Sequence, residues 1–412
     1  MPADTAQRKL SQGELAIILD GHARFINRKP SGKRASLRFV DLSGLDLCGR
    51  DLTEADLTGS SFDDCVMIGT RLERANLFGC SLRRADLRWA KMARADMRGV
   101  CLSGANLAQA DLTEADFRSG QISIADARKG LAGAGGLDEV NFSGATLDRT
   151  QFNDVSACAA DFSDCSMRGV ILSGANLKDA DLSGAMLDGA TINGAILDRA
   201  KLSGASLSGV DFAKARSAQG ADLSGCLQTP SADVLARAEV LLAAAMANHE
   251  WCESGGKHGG PAKLDGADLR PLGARLRGLR LSGLSAKGAC LVGLDLSNTQ
   301  LQGAALDGAD LRGANLANAD LRGARLVGVN LTRSDLRDAS LTPLPLGGGR
   351  STPVMLNGGR LRYATLCAAD LSAALIENAD LRGADLTGAK VWKTSFKDSD
   401  IGGVVGLDLE VV

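Results

Sequence analysis

The sequence predicts an all-β solenoid, and three regularities predict it. From Leu37 through Leu52, Leu57, Phe62, Met67 and Leu72 to Ile122, every fifth residue is large and apolar. Written in twenties the chain repeats again, as DLTEADLTGS at 51, RLERANLFGC at 71, KMARADMRGV at 91 and DLTEADFRSG at 111. The residue two before the centre is usually small, as at Ala55, Ser60, Cys65, Ala75, Cys80, Ala85 and Ala95. A period of five fits neither a helix (about 3.6) nor a strand (about 2), either of which would scatter the leucines over all faces. A coil that turns a corner every five residues points them all inward, and four corners make a turn of twenty. The small residues then fit beside the leucines. The residue just before the centre is often Asp or Asn (Asp56, Asn76, Asp86, Asp96, Asn106, Asp116), as backbone-capping groups at the corners would be.

This A-[D/N]-L-x-x pattern resembles the pentapeptide-repeat family and covers most of the chain. The resemblance implies a right-handed quadrilateral parallel β-helix. For function it implies little, because the family is functionally scattered. Its quinolone-resistance-type members resemble a DNA duplex and bind the type II topoisomerase gyrase. Composition agrees with a thin, leucine-built core: 412 residues carry 50 Gly but only 10 Phe, 3 Trp and 1 Tyr.

Taken in order, residues 1–36 read as an N-terminal helical cap. Ser11 and Glu14 form a capping box, and Leu15, Ile18, Leu19, His22, Phe25 and Ile26 share one helical face, though Gly13 and Gly21 weaken it. A β-helix ends in an open ring of leucines and unpaired edges, which a helix laid across it would cover. The first coil spans 37–228. Between Ala125 and Gly136 the centres lapse and then resume in phase at Leu137, which predicts an irregular coil or a loop. One extra residue enters around Ala218 to Gly220, and Leu223 is the last clear centre.

Residues 229–263 read as a second cap and linker. Ser231 starts a helix to 252 with an apolar face of Val234, Leu235, Ala238, Leu242, Ala245, Met246 and His249. His249 precedes Leu264 by fifteen residues, as His22 precedes Leu37, so the spacing predicts two tandem modules, each with an N-terminal α-helical cap. The second coil spans 264–403, slips by two residues at Pro271-Leu272, and bulges at 342–353 before running to Ile401. The tail, 404–412, alternates apolar residues over 405–411 (Val405, Leu407, Leu409, Val411) beside Val404 and Val412. It predicts either a plug folded over the last ring or a tail-to-tail homodimer through residues 396–412, and the homodimer through this C-terminal end is the reading adopted.

The chemistry classes thin out quickly. A net charge of −2, from 47 basic and 49 acidic residues, disfavours a nucleic-acid partner. There is no run of some eighteen apolar residues, so no membrane insertion is expected, and the start lacks the apolar core of a signal peptide. A cytoplasmic location follows as the expectation. Cys65, Cys80, Cys165 and Cys226 sit in the small inward slot and read as buried thiols. The chain has no C-x-x-C pair, and no metal or cofactor is expected. His22 and His249 suit packing at the caps, whereas His258 lies in ESGGKHGGP, which lacks the phosphate-loop pattern G-x-x-x-x-G-K-[S/T]. No enzyme is expected; the turn Ser254 to Gly260 is the one place to look for one.

The most ordered charge pattern lies on the first coil. Asp51, Arg71, Lys91 and Asp111 form one twenty-residue ladder, and Glu54, Arg74, Arg94 and Glu114 another, with Arg83, Arg84, Arg88, Trp89 and Arg98 nearby. The candidate partner-binding patch is Arg71, Arg74, Arg88, Trp89, Lys91 and Arg94. Against it stands a solvated face of alternating charge, where each surface pair contributes about 0–1 kcal/mol. The function expected is a non-catalytic scaffold that binds an unknown protein partner through flat faces and protruding loops. The alternative is a DNA mimic that binds gyrase. It demands a strongly acidic surface, since DNA carries one charge per about 1.7 Å, and neither half of this chain is markedly acidic.

Overall fold

The computed structural model describes residues 7–118, 137 and 139–407. One pentapeptide shows why the chain coils. In Asp51–Ala55, the Leu52 N–H donates to the Arg71 carbonyl (2.7 Å) and the Glu54 N–H to the Glu73 carbonyl (2.9 Å). The Ala55 N–H closes the corner on the Leu52 carbonyl (3.0 Å), with Glu54 between them at φ 61°, a type II turn. The Thr53 N–H has no carbonyl and donates to the Asp51 carboxylate (2.9 Å). The first residue of a pentapeptide donates backwards, as Arg71 does to Arg50 (2.8 Å). Four donors of this pentapeptide are met, and the fifth kind is met once a preceding turn exists, as burial against neighbouring turns requires. This is the physical reason for the recurring Asp. Where Ser81, Ser166 or Ser206 takes its place, an aspartate one turn back accepts instead: Asp63 from Arg83 N–H, Asp148 from Arg168 N–H, Asp188 from Ser208 N–H.

Parallel bridges accordingly join residues twenty apart, as in Asp51↔Arg71↔Lys91↔Asp111. Leu52, Leu57, Phe62, Met67, Leu72 and Leu87 are fully buried, with Ala55, Cys65 and Ala75 beside them. Extended strands are nevertheless few. With a corner every five residues only single residues pair, and the strands proper are β1 (Arg8–Lys9), β2 (Val40–Asp41), β3 (Leu344–Gly347) and β4 (Arg350–Thr352).

The chain divides into two compact units, Met1–Thr229 and Pro230–Val412. In the first, α1 (Gln12–Ile26) begins at a capping box of Ser11 and Glu14 and buries Leu15, Leu19 and His22. Phe25 stays at the rim, 37% exposed. The first coil has no preceding turn to meet its edge donors, and this segment meets them. His22 Nδ1 accepts the Ala35 N–H (3.0 Å), the Gln12 side chain accepts the Asp46 N–H (3.1 Å), and β1 runs parallel to β2.

Across the lapse after residue 118, Asn106↔Asn141, Asp111↔Thr146 and Asp116↔Gln151 pair thirty-five apart. Three pentapeptides' worth of chain is inserted with phase kept, and Phe117 stacks on Phe152 across it (4.8 Å between centroids). Ile122 and the loop expected at 125–136 lie outside the described residues. The later extra residue enters at a 3₁₀ turn, Phe212–Lys214, and not at Ala218–Gly220. Asp211 makes that turn by accepting the Ala213 N–H (3.1 Å), and bridges from Ile196↔Ser217 onward are then twenty-one apart. Leu223 in the last rung is 42% exposed.

In the second unit, α2 (Ala232–Glu253) presents a face that keeps Ala238, Leu242 and Ala245 of the one expected but is rotated away from Leu235 and Met246. Ala238, Ala245 and Asn248 are buried, whereas Leu235 (54%) and Met246 (44%) are exposed. The rotation is set by Asn248, whose Oδ1 accepts the Ala262 N–H (2.8 Å) while Nδ2 donates to the Ser282 carbonyl (3.2 Å). Ala262 stands two before Leu264, as Ala35 stands two before Leu37. The counterpart of His22 is therefore Asn248, and His249 instead accepts the Arg280 N–H (3.0 Å). The two-residue slip falls at a 3₁₀ turn, Arg270–Leu272, around which Asp268↔Cys290 pair twenty-two apart.

The bulge at 342–353 is an antiparallel hairpin of β3 and β4. Arg325↔Met355 and Ser340↔Asp370 pair thirty apart around it, so the coil continues beneath. The hairpin does not stand clear. Leu344 rests on Gly323, where an added Cβ would come within 2.5 Å of the Leu344 Cβ. Gly323→Ala is therefore expected to displace the hairpin and speed tryptic cleavage at Arg350 about tenfold, and to cost about 1–2 kcal/mol because Gly323 lies at φ 64°. At the C-terminal end, Val405 still bridges Asp385, while Ile401, Val404 and Leu407 are only half-buried. Leu409, Val411 and Val412 lie outside the described residues.

Candidate partner-binding face

The two ladders form as spaced. Arg71 and Lys91 are bridge partners, flanked by Asp51 and Asp111 in the same column. One corner along, Arg74 and Arg94 project at left-handed positions (φ 56° and 59°), and both are exposed. Trp89 occupies another such corner (φ 63°), half-buried, beside exposed Arg88.

The columns largely neutralise themselves. Arg74 pairs with Glu54 and Arg94 with Glu114, each at 2.6 Å, so each central cation turns to the acid at its own end of the ladder. The Arg94 hydrogen bond holds the Glu114 carboxyl below the ordinary carboxylate range. Arg71 lies 3.5 Å from Glu73 and 3.8 Å from Asp51. Arg88 forks onto Asp86 within its own pentapeptide (2.8 and 2.6 Å). Among the described residues, Lys91 alone of the five cations has no ion pair.

Two features escaped the sequence reading. The first is the in-turn Asp-Leu-Arg fork, which recurs at Asp310–Arg312, Asp320–Arg322, Asp335–Arg337 and Asp380–Arg382. Its signal was the repeated D-L-R triplet. The second is a basic segment after α1, with Arg24, Arg28, Lys29, Lys33 and Arg34 and no acidic residue between them.

The remaining candidates have structural employment. Cys65 and Cys80 donate from Sγ to the Leu42 and Leu57 carbonyls (3.1 Å each), and burial pushes their thiols up to about 11 and about 12. In the turn at Ser254–Gly260, the Ser254 hydroxyl accepts the Lys257 and His258 N–H groups (3.1 and 2.9 Å), so the turn is closed on itself. Among the described residues no His, Cys, Asp and Glu cluster could hold a metal ion, and no helix is long and apolar enough to cross a membrane.

A coil whose inner face is filled by packing and whose outer face carries charged columns is a repeat protein of the β-helix class. The family model for pentapeptide repeats matches residues 33–118, 137–227, 299–338 and 356–403, more than half of the chain, and the protein belongs to this family. No curated protein matches. Among solved structures, the chain is similar to a pentapeptide repeat protein from the Arabidopsis thaliana thylakoid lumen (26% identity, TM-score 0.20). That match covers 28% of this chain and 66% of the other. It is also similar to QnrB1, a plasmid-mediated fluoroquinolone resistance protein (18% identity, 50% of this chain and 95% of that one, TM-score 0.25). A third is HetL from the cyanobacterium Nostoc sp. strain PCC 7120, described as involved in heterocyst differentiation regulation (20% identity, 95% of each chain, TM-score 0.13).

Proposed function

We propose that this protein is a non-catalytic scaffold that binds a protein partner. In this reading it is a quadrilateral β-helix in two tandem modules, with coils at 37–228 and 264–403 and helical caps in 1–36 and 229–263. The observation that carries the proposal is the ladder of stacked, exposed side chains on a backbone pinned by turn-to-turn hydrogen bonds, which presents charge at fixed spacing. Arg71, Arg74, Lys91 and Arg94 form its centre with Arg88 and Trp89 nearby, and Lys91 is the cation left for a partner's carboxylate. The half-buried Ile401, Val404 and Leu407 at the C-terminal end support a homodimer there.

Affinity capture from the native cell tests the scaffold. A specific protein held by the intact chain and lost with Arg71→Glu/Lys91→Glu supports it; inhibition of gyrase supercoiling by the purified chain would favour the DNA-mimic alternative. For the homodimer, light scattering on the full chain is expected to give twice the chain mass, and a version ending at Gly403 half of that. Two monodisperse monomers would reduce the tail to a plug.

A further inference from the structure

The ladder is not where unpaired positive charge is concentrated. Between Arg24 and Arg34 stand five cations, Arg24, Arg28, Lys29, Lys33 and Arg34, all exposed. Among the described residues none of the five has an ion pair. Their backbone is held in place. The Arg28 N–H donates to the Phe25 carbonyl (2.9 Å), the Lys29 N–H to Arg24 (2.8 Å) and the Lys33 N–H to Gly21 (3.0 Å). Gly32 folds back so closely that an added Cβ would lie 2.4 Å from the Phe25 nitrogen. The segment thus wraps the C-terminus of α1, whose negative dipole end stabilises cations. That accounts for the tolerance of the charge, and the side chains of Arg24, Arg28, Lys29 and Lys33 stay exposed.

Two large apolar groups stand exposed on the same helix. Ile17 is 75% exposed, and Phe25, stacked on buried His22 at 5.9 Å, is 37% exposed. At the far end of the segment, the Arg34 Nε donates to the Glu54 backbone carbonyl (2.5 Å). Five cations within eleven residues are a short patch for a long polyanion such as nucleic acid, whose binding draws on many phosphate contacts. The patch suits a short acidic stretch that also carries an apolar side chain for Ile17 and Phe25.

We infer that residues 17–34 form a docking site for an acidic protein segment with an apolar anchor. The inference rests on the scaffold reading and gives its partner a chemistry. The probe is a labelled twelve-residue peptide of glutamates with two leucines, titrated against the full chain by fluorescence anisotropy. Binding is expected at about 50 mM salt, to weaken about tenfold by about 300 mM, as exposed charges are screened. Arg28→Glu/Lys29→Glu/Lys33→Glu is expected to abolish it. Ile17→Ser should weaken it about fivefold, on the scale of one exposed apolar contact. Lys29→Arg/Lys33→Arg is expected to retain it. Unchanged thermal melting of each variant shows that the fold persists, as these side chains are exposed. Absence of binding, binding unaffected by the triple reversal, or tighter binding of an oligothymidylate or an anionic vesicle would each overturn the inference. Loss of peptide binding with cellular capture intact sinks this site and leaves the scaffold standing.

Discussion

Leu87→Asp is expected to abolish cooperative folding of the first unit, at a cost of about 4 kcal/mol or more. Leu87 is fully buried, and its N–H donates to the Asn106 carbonyl (2.7 Å), so the side chain lies between turns. A carboxylate there has no cation to meet it, because the buried inward centres around it, Met67, Leu82, Met92 and Leu107, are uncharged and apolar. The outer-face control is Lys91→Asp, which removes an exposed side chain without an ion pair and should cost at most about 0.5 kcal/mol. Circular dichroism melts of both variants check the pair. An unaltered melt for Leu87→Asp would show that the five-residue centres do not point inward.

The second large effect concerns the two helix anchors. Asn248→Leu strips partners from the Ala262 N–H and the Ser282 carbonyl, and is expected to cost about 2–4 kcal/mol with no dependence on pH. His22 does the equivalent task with a group that titrates. Burial lowers its pKa from 6.5, and Nδ1 must be unprotonated to accept the Ala35 N–H. The sign follows from linkage. Below about pH 6.5 the unfolded chain binds the proton that the folded chain refuses, so stability falls as pH falls, by at most about 1.4 kcal/mol per unit. Above that pH the contribution is fully present. Melting of the first unit is therefore expected to drop by several degrees between about pH 7.5 and about pH 5.5, and His22→Asn to flatten the dependence. A slope unchanged in His22→Asn would place the titrating group elsewhere.

The coil was legible in the sequence because its signal is local and repeated. One burial pattern, set by corners five residues apart, recurs until chance is excluded. Insertions were legible as well when they kept phase, as at 342–353. What escaped depends on relations between segments. The orientation of α2 follows the hydrogen bonds that the Asn248 side chain accepts from Ala262, fourteen positions on, and donates to Ser282, and hydropathy along the helix carries no trace of them. The charged ladders were placed correctly, but their neutralisation by Glu54, Glu114 and Asp86 depends on rotamers. The basic turn after α1 was visible as composition and passed over, since attention lay on periodic residues.

The measurement that tests the central claim most directly is a crystal structure of the full chain, read at Leu57, Leu77, Met97 and Phe117. The account predicts one inward column with successive Cα atoms about 4.8 Å apart and parallel pairing throughout. Antiparallel strands or helices across these residues, or a column broken before Phe117, would contradict it.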